Sequence, residues 1–206
     1  MTEPLATEGA ELARLVGMRL VHDLAGPLGS VMAAAGLAPG AARSDALLAE
    51  TVSDLLARGR LYAAVFGAAE AVPPEEMAAM LAGAPGAHRV SFEVAAASLS
   101  VAPAVARVLL AAGMLAVEAL PRGGRVVIAP GPGGGVVVLP EGRVAAWPHG
   151  LIERLGGLPP PQPDTPRSLL APWLITLARE AGCHLGIGLG GPGIPPLLLR
   201  AAPRAG

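Results

Sequence analysis

Val16, Leu20, Leu24, Leu28, Val31 and Ala35 follow one another at spacings of four, four, four, three and four. That is the apolar stripe of an amphipathic helix. It predicts a helix from about Ala10 to Leu37, with residues 1–8 as a frayed tail and Pro39-Gly40 as its stop. Leu48, Val52, Leu55, Gly59, Tyr62 and Phe66 repeat the pattern at four, three, four, three and four. Ser44 offers an N-cap for this second helix, Asp45 lies near its positive end, and it runs to about Ala69. The two make a helical hairpin with one apolar face on each member. A second copy could cover those faces by forming a four-helix bundle, and we expect a homodimer through residues 10–69. The alternative is that the second half of the same chain covers them.

Pro73-Pro74 marks a boundary, after which the periodicity changes. Residues 74–82 read as a short helix, and 89–95 alternate like a strand. Pro103 to Leu120 reads as a long buried helix with Pro103 in its first turn. Val126 to Ala129 and Val136 to Leu139 are apolar strands joined by the turn Gly131-Pro132-Gly133-Gly134-Gly135. A short helix over 149–155 and the stiff loop Pro159-Pro160-Pro161-Gln162-Pro163 follow. Ser168 to Ala181 is a helix stopped by Gly182; His184 to Leu189 and Leu197 to Leu199 read as strands. Helices alternating with a few strands predict an α+β sandwich, one sheet with helices on one face.

The chain of 206 residues fits one large or two small domains. A net charge of −1 gives no electrostatic reason to propose nucleic acid as a partner. The longest apolar run, Val108 to Val117, falls far short of the roughly 20 residues of a membrane span. The N-terminus lacks the basic start and apolar core of a signal peptide. A single cysteine, Cys183, cannot form an internal disulfide, so we expect a reducing, cytoplasmic setting and no membrane association. All 15 basic residues are Arg, and the chain has neither Lys nor Asn.

The candidate chemistry lies in His22-Asp23-Leu24-Ala25-Gly26-Pro27-Leu28. With Leu20 at the centre of the stripe, His22 lies about 200° away and points outward. Glu11, Leu15, Met18, Arg19, Gly26, Gly29 and Ala33 are its expected neighbours on that face. Two glycines on a solvated helix face each cost about 1 kcal/mol relative to Ala, and bare backbone there suits a partner that must approach closely. Leu15, Met18, Gly26, Gly29 and Ala33 are therefore the candidate docking residues. A neutral imidazole is a competent nucleophile near physiological pH. Asp23 can orient the ring, and Arg19, at i−3, can pair with phosphoryl oxygens. Pro27 has no N–H, so the carbonyl of Asp23 loses its helical partner.

Arg19-Leu20-Val21-His22-Asp23-Leu24-Ala25-Gly26-Pro27-Leu28-Gly29 resembles the phosphoacceptor helix of the ChpT-like histidine phosphotransferases of alphaproteobacteria, and more loosely the H-box of sensor histidine kinases. Leu61 to Gly67 resembles the end of that family's second helix, and Ala171 to Gly182 its late helix and following turn. The order of elements fits along nearly the whole chain. The resemblance implies a dimeric four-helix bundle over residues 1–71. It implies a degenerate histidine-kinase ATPase-like α/β sandwich over 72–206 that does not bind ATP. It implies a relay: from the receiver Asp of a hybrid histidine kinase to His22, then to the receiver Asp of a response regulator of the CtrA or CpdR kind. His22 is then the phosphoacceptor, with Asp23 and Arg19 as catalytic helpers. No cofactor or metal site is expected in this chain; Mg2+ belongs to the partner receiver. The family often carries polar residues after the proline, where this chain has Ala33-Ala34-Ala35-Gly36, so partner specificity is expected to differ.

Four rival readings compete with it. A true kinase would need the Asn-rich helix and glycine loop that place magnesium and ATP; there is no Asn, and the long helix offers only Glu118 as an acid. Gly186-Ile187-Gly188-Leu189-Gly190-Gly191 matches a dinucleotide fingerprint, but Pro192, Pro195 and Pro196 follow where a helix is required. His88, His149, Cys183 and His184 lack metal-ligand spacing, and adjacent strand residues point to opposite faces. A non-catalytic dimeric adaptor would need the small-residue face without the histidine.

Overall fold

The computed structural model describes residues 3–36, 42–68, 71–99, 101–159, 165–189 and 193–201. Two long helices open the chain, α1 (Glu3–Ala35) and α2 (Ala42–Phe66). The helix α2 begins before Ser44, which therefore lies inside it rather than capping it. The expected stop at Pro39-Gly40 lies outside the described residues, as do most of the proline-rich loop and Gly190 to Pro192. Then follow α3 (Pro74–Leu81), β1 (Val90–Val94), α4 (Pro103–Glu118), β2 (Gly124–Pro130) and β3 (Val136–Glu141). The last elements are α5 (Leu151–Leu155), α6 (Leu170–Glu180), β4 (Cys183–Ile187) and β5 (Leu197–Ala201). Every helix and strand anticipated from periodicity is present, with shifted ends; the frayed tail expected over residues 1–8 is instead helical from Glu3, because the backbone turn continues ahead of the first stripe residue.

The five strands form one sheet in the order β1-β2-β3-β5-β4. β1 and β2 are parallel, and the remaining neighbours are antiparallel. Val126 and Ile128 on β2 and Val136 and Val138 on β3 point into the core, so the alternation of these strands fixes which face is covered. The helices α3, α4 and α6 pack on the sheet. Between Arg107 and Glu118 α4 is apolar all round, and Leu109, Leu110, Met114 and Leu115 have almost no exposed surface. Each such side chain, fully buried, stabilises the fold by about 1.5–3 kcal/mol. The mixed α+β class expected from the sequence is what forms.

The hairpin is seated on this sandwich by its lower end. Leu61, Tyr62 and Val65 of α2 join the core cluster. The carbonyl of Val65, in the last turn of α2, has no helical donor of its own. It accepts from Trp173 Nε1 on α6 at 3.0 Å and from Arg107 Nε on α4 at 3.1 Å. Tyr62, Phe66 and Trp173 stack in sequence, with centroids 5.5 and 5.7 Å apart, and Arg107 covers the Trp173 ring. The two segments singled out beyond the histidine, 61–67 and 171–182, thus meet in space. The core runs across the boundary expected near residue 71, which falls between α2 and α3.

The second half of the chain covers the lower end only. Leu28, Met32, Leu47, Val52 and Leu56 remain exposed further up, Met32 by 75% and Leu56 by 57%.

One glycine ties the sandwich to α2. Gly83 follows α3 and is buried, and a Cβ placed there would lie 2.5 Å from the carbonyl oxygen of Ala57 and 3.0 Å from the backbone nitrogen of Arg58. Backbone cannot swing aside as a side chain can. Gly83→Ala is therefore expected to push α2 off the sandwich and cost about 1–3 kcal/mol of stability, as overpacking does. Thermal unfolding followed by circular dichroism checks this; an unchanged melting temperature would contradict the close approach.

Candidate functional site

His22 and Asp23 lie on the exposed and buried sides of one turn of α1. The His22 side chain is 57% exposed, whereas Asp23 is buried. Nδ1 of His22 lies 2.7 Å from Asp23 Oδ1. The other oxygen, Oδ2, accepts from Arg19 Nε and from the Tyr62 hydroxyl. Burial by itself would raise the Asp23 carboxyl. Donation from Tyr62, the charge of Arg19 and the bonds from His22 and Arg19 outweigh it and hold the group below the ordinary carboxylate range. An ionised carboxylate can only accept. The proton between the two groups therefore belongs to Nδ1. In the neutral ring that leaves the lone pair on Nε2.

Arg19 is placed differently from expectation. The helical wheel predicts it on the outward face, with its guanidinium free for phosphoryl oxygens. It is 2% exposed and lies between two carboxylates, Asp23 on its own helix and Glu118 on α4, whose Oε1 is 2.7 Å from Nη1. Nη1 also donates to the Pro166 carbonyl at 3.3 Å. Burial would lower its pKa, but the charges of Glu118 and Asp23 offset this and raise it. Leu15 corrects the same expectation: it is fully buried and cannot form part of a docking face. The physical reason is shared. The face of α1 through Leu15, Arg19 and Asp23 packs on the sandwich, at the turn before α6 and at the end of α4. Met18 is half-buried; Gly26, Gly29 and Ala33 are exposed, and the two glycines have open space where a side chain would be.

The carbonyl left free by Pro27 has found a donor. Arg58 of α2 gives Nη1 to the Asp23 carbonyl oxygen at 2.7 Å. Its Nε is buried without a hydrogen-bond partner in the described structure. A cation thus replaces the missing N–H at the turn that carries the histidine.

Sequence reasoning singled out His22, Asp23 and Arg19, which the fold brings together, and it missed Tyr62, Arg58 and Glu118. Tyr62 stands in an apolar stripe and in the family-like segment 61–67 without a role at the site, and Glu118 stands only as a lone acid. A polar residue buried at the end of an otherwise apolar helix was the available signal for Glu118. Beside His22 lies a cleft of about 610 Å³ between α1 and the sandwich, lined also by Arg89, His149 and Arg167. Among the described residues, no group of three or more His, Cys, Asp or Glu could hold a metal ion. Likewise no described helix is long and apolar enough to cross a membrane.

The fold class is shared with a solved structure described as "1.7 Angstrom Structure of a Bacterial Phosphotransferase". The two chains align with a TM-score of 0.72 over 92% of this chain and 95% of that one, at 19% identity, which speaks to the fold alone. The sequence model of the "Histidine phosphotransferase C-terminal domain" matches residues 74–192, more than half of the chain. The chain belongs to the histidine phosphotransferase family. His22 lies before the matched residues. No curated protein sequence matches this chain.

Tyr62 gives a direct test of the site's electrostatics. Tyr62→Phe removes one donor from Asp23 Oδ2 and lets the folded-state carboxyl rise toward its ordinary value. A depressed carboxyl stabilises the fold above its unfolded pKa, and this stabilisation is lost as pH falls through the lower, folded value. The variant should be about 1–3 kcal/mol less stable at neutral pH. Its acid-unfolding midpoint should move to higher pH. A midpoint that stays in place would contradict the bond.

Proposed function

We propose that this chain relays a phosphoryl group through His22, in the manner of the ChpT-like histidine phosphotransferases. The observation that carries the reading is the pairing of His22 Nδ1 with a buried, ionised Asp23, which leaves Nε2 as the exposed nucleophile. The family match supports a phosphotransfer role, and the geometry supports this residue as the acceptor.

The step balances without a cofactor from this chain. A partner's aspartyl phosphate approaches Nε2 in line. The P–N bond forms as the acyl phosphate's P–O bond breaks, and the aspartate leaves as carboxylate. The ring keeps its Nδ1 proton, and Asp23 neutralises the positive charge that develops on it. A second receiver's aspartate then takes the group by the reverse chemistry. Mg2+ is supplied by the receivers. The donor is the receiver of a hybrid histidine kinase and the acceptor a response regulator of the CtrA or CpdR kind, on the strength of the sequence resemblance.

Arg19, buried between its carboxylates, acts through Asp23 as a positioning residue. Exposed Arg89 and Arg167 on the neighbouring cleft supply positive charge near the transferred group. Gly26, Gly29 and Ala33 form the close-approach surface. The exposed Leu28, Met32, Leu47, Val52 and Leu56 support a dimer in which two hairpins form a four-helix bundle over residues 1–71, with 72–206 as the second domain.

His22→Ala should accept no phosphoryl group from a phosphorylated receiver domain, with circular dichroism unchanged; acceptance at the native rate would end this reading. Incubation with Mg2+ and ATP alone should leave the wild-type chain unlabelled, and a phosphohistidine there would favour a kinase. Gly29→Phe should slow receiver-to-His22 transfer by about tenfold or more through misplacement of the partner, without loss of fold. Equal rates would remove Gly29 from the docking surface. Light scattering should give twice the chain mass.

A further inference from the structure

Four charged or polar groups lie in a line from the sandwich to the proposed phosphoacceptor. Glu118, at the C-terminal end of α4, pairs with Arg19 Nη1 at 2.7 Å. Arg19 Nε pairs with Asp23 Oδ2, and Asp23 Oδ1 meets His22 Nδ1 at 2.7 Å. Asp23 and Arg19 are almost wholly buried, and the Glu118 side chain is 17% exposed, so little water screens the line. We propose that Glu118 is a positioning residue, through which the second half of the chain sets the tautomer and nucleophilicity of His22. This rests on the reading of His22 as phosphoacceptor.

The argument is one of charge balance. Two carboxylates share one guanidinium. While Glu118 holds Nη1, Arg19 neutralises Asp23 only in part, and Asp23 keeps negative charge for the His22 proton. Remove the Glu118 charge and the whole guanidinium acts on Asp23, which weakens its hold on Nδ1–H. Tyr62 from α2 donates to the same Oδ2 and Arg58 to the Asp23 carbonyl, so both draw charge in the same sense as Arg19. Arg167, on the turn before α6, is the other cation that acts on Glu118. Glu118 is the one acid from the sandwich that opposes them among the described residues. Burial and the neighbouring Asp23 charge raise its carboxyl above the ordinary range, with Arg19 opposing the rise; the charge at Glu118 rests on the 2.7 Å ion pair with Arg19 Nη1.

The experiment uses the full chain, labelled with ¹⁵N at histidine and free of any partner. In the wild type, the His22 ring should show the Nδ1–H tautomer with a downfield proton bonded to Asp23. In Glu118→Gln, which keeps the shape and removes the charge, that proton should move upfield and the Nε2–H tautomer should grow. Transfer from a phosphorylated receiver should then fall by about tenfold in kcat with KM retained, as when an outer partner of a reactive group is lost. Wild-type ring shifts in a folded Glu118→Gln would overturn the proposal. If that variant does not fold, Glu118→Asp, which keeps the charge but shortens its reach, carries the test: an intermediate ring shift supports the proposal and a wild-type one overturns it. A displaced resonance together with phosphoryl acceptance by His22→Ala would keep the electrostatic line and remove His22 as the acceptor instead.

Discussion

The site depends on one buried carboxylate. Asp23 faces four ways at once: to His22, Arg19 and Tyr62 with its side chain, and to Arg58 with its carbonyl oxygen. Each of these partners comes at a cost. A buried charge without partners would be neutralised or would unfold its surroundings, so the ion pair and the hydroxyl are conditions for keeping Asp23 ionised. Because it is ionised, it can only accept from Nδ1 of the neighbouring imidazole. The local chemistry of one helical turn is therefore written by α2 and α4 as much as by α1.

Proline in the middle of α1 belongs to the same arrangement. It breaks the hydrogen bond from residue 27 to the carbonyl of Asp23, a loss that would ordinarily stand as an unsatisfied group. The guanidinium of Arg58 fills it, and the close approach of Gly83 to Ala57 and Arg58 fixes the part of α2 from which that guanidinium reaches. Packing in the sandwich thus bears on the geometry at the histidine through two neighbouring contacts, one steric and one polar.

Much of the fold was legible in the chain because periodicity is a local signal. The second stripe, the proline boundary, the apolar middle of α4 and the glycine turn between β2 and β3 each predict an element within a few residues, whereas α1 starts at Glu3, well before the Ala10 its stripe predicts. The strand order was not legible: β5 returns to lie between β3 and β4, a choice made by long-range pairing. At the site, His22, Asp23 and Arg19 were visible as neighbours on one helix. The direction in which Arg19 and Leu15 point was misread because a helical wheel ranks faces by hydrophobicity, and here a charged face is the buried one. Tyr62, Arg58 and Glu118 come from other helices, and no spacing along the chain brings them to Asp23. The exposed upper hairpin follows the same logic in reverse: its apolar stripe reads as core in the sequence and stands open in the single chain.

The central claim is that Nε2 of His22 carries the phosphoryl group. The most direct measurement is phosphorus NMR of the chain after transfer from a phosphorylated receiver, with the modified residue located by mass spectrometry under conditions that preserve phosphohistidine. The account predicts one phosphorylated residue, His22, substituted at Nε2. Phosphate at Nδ1 of His22, or on His88, His149 or His184 instead, would contradict it.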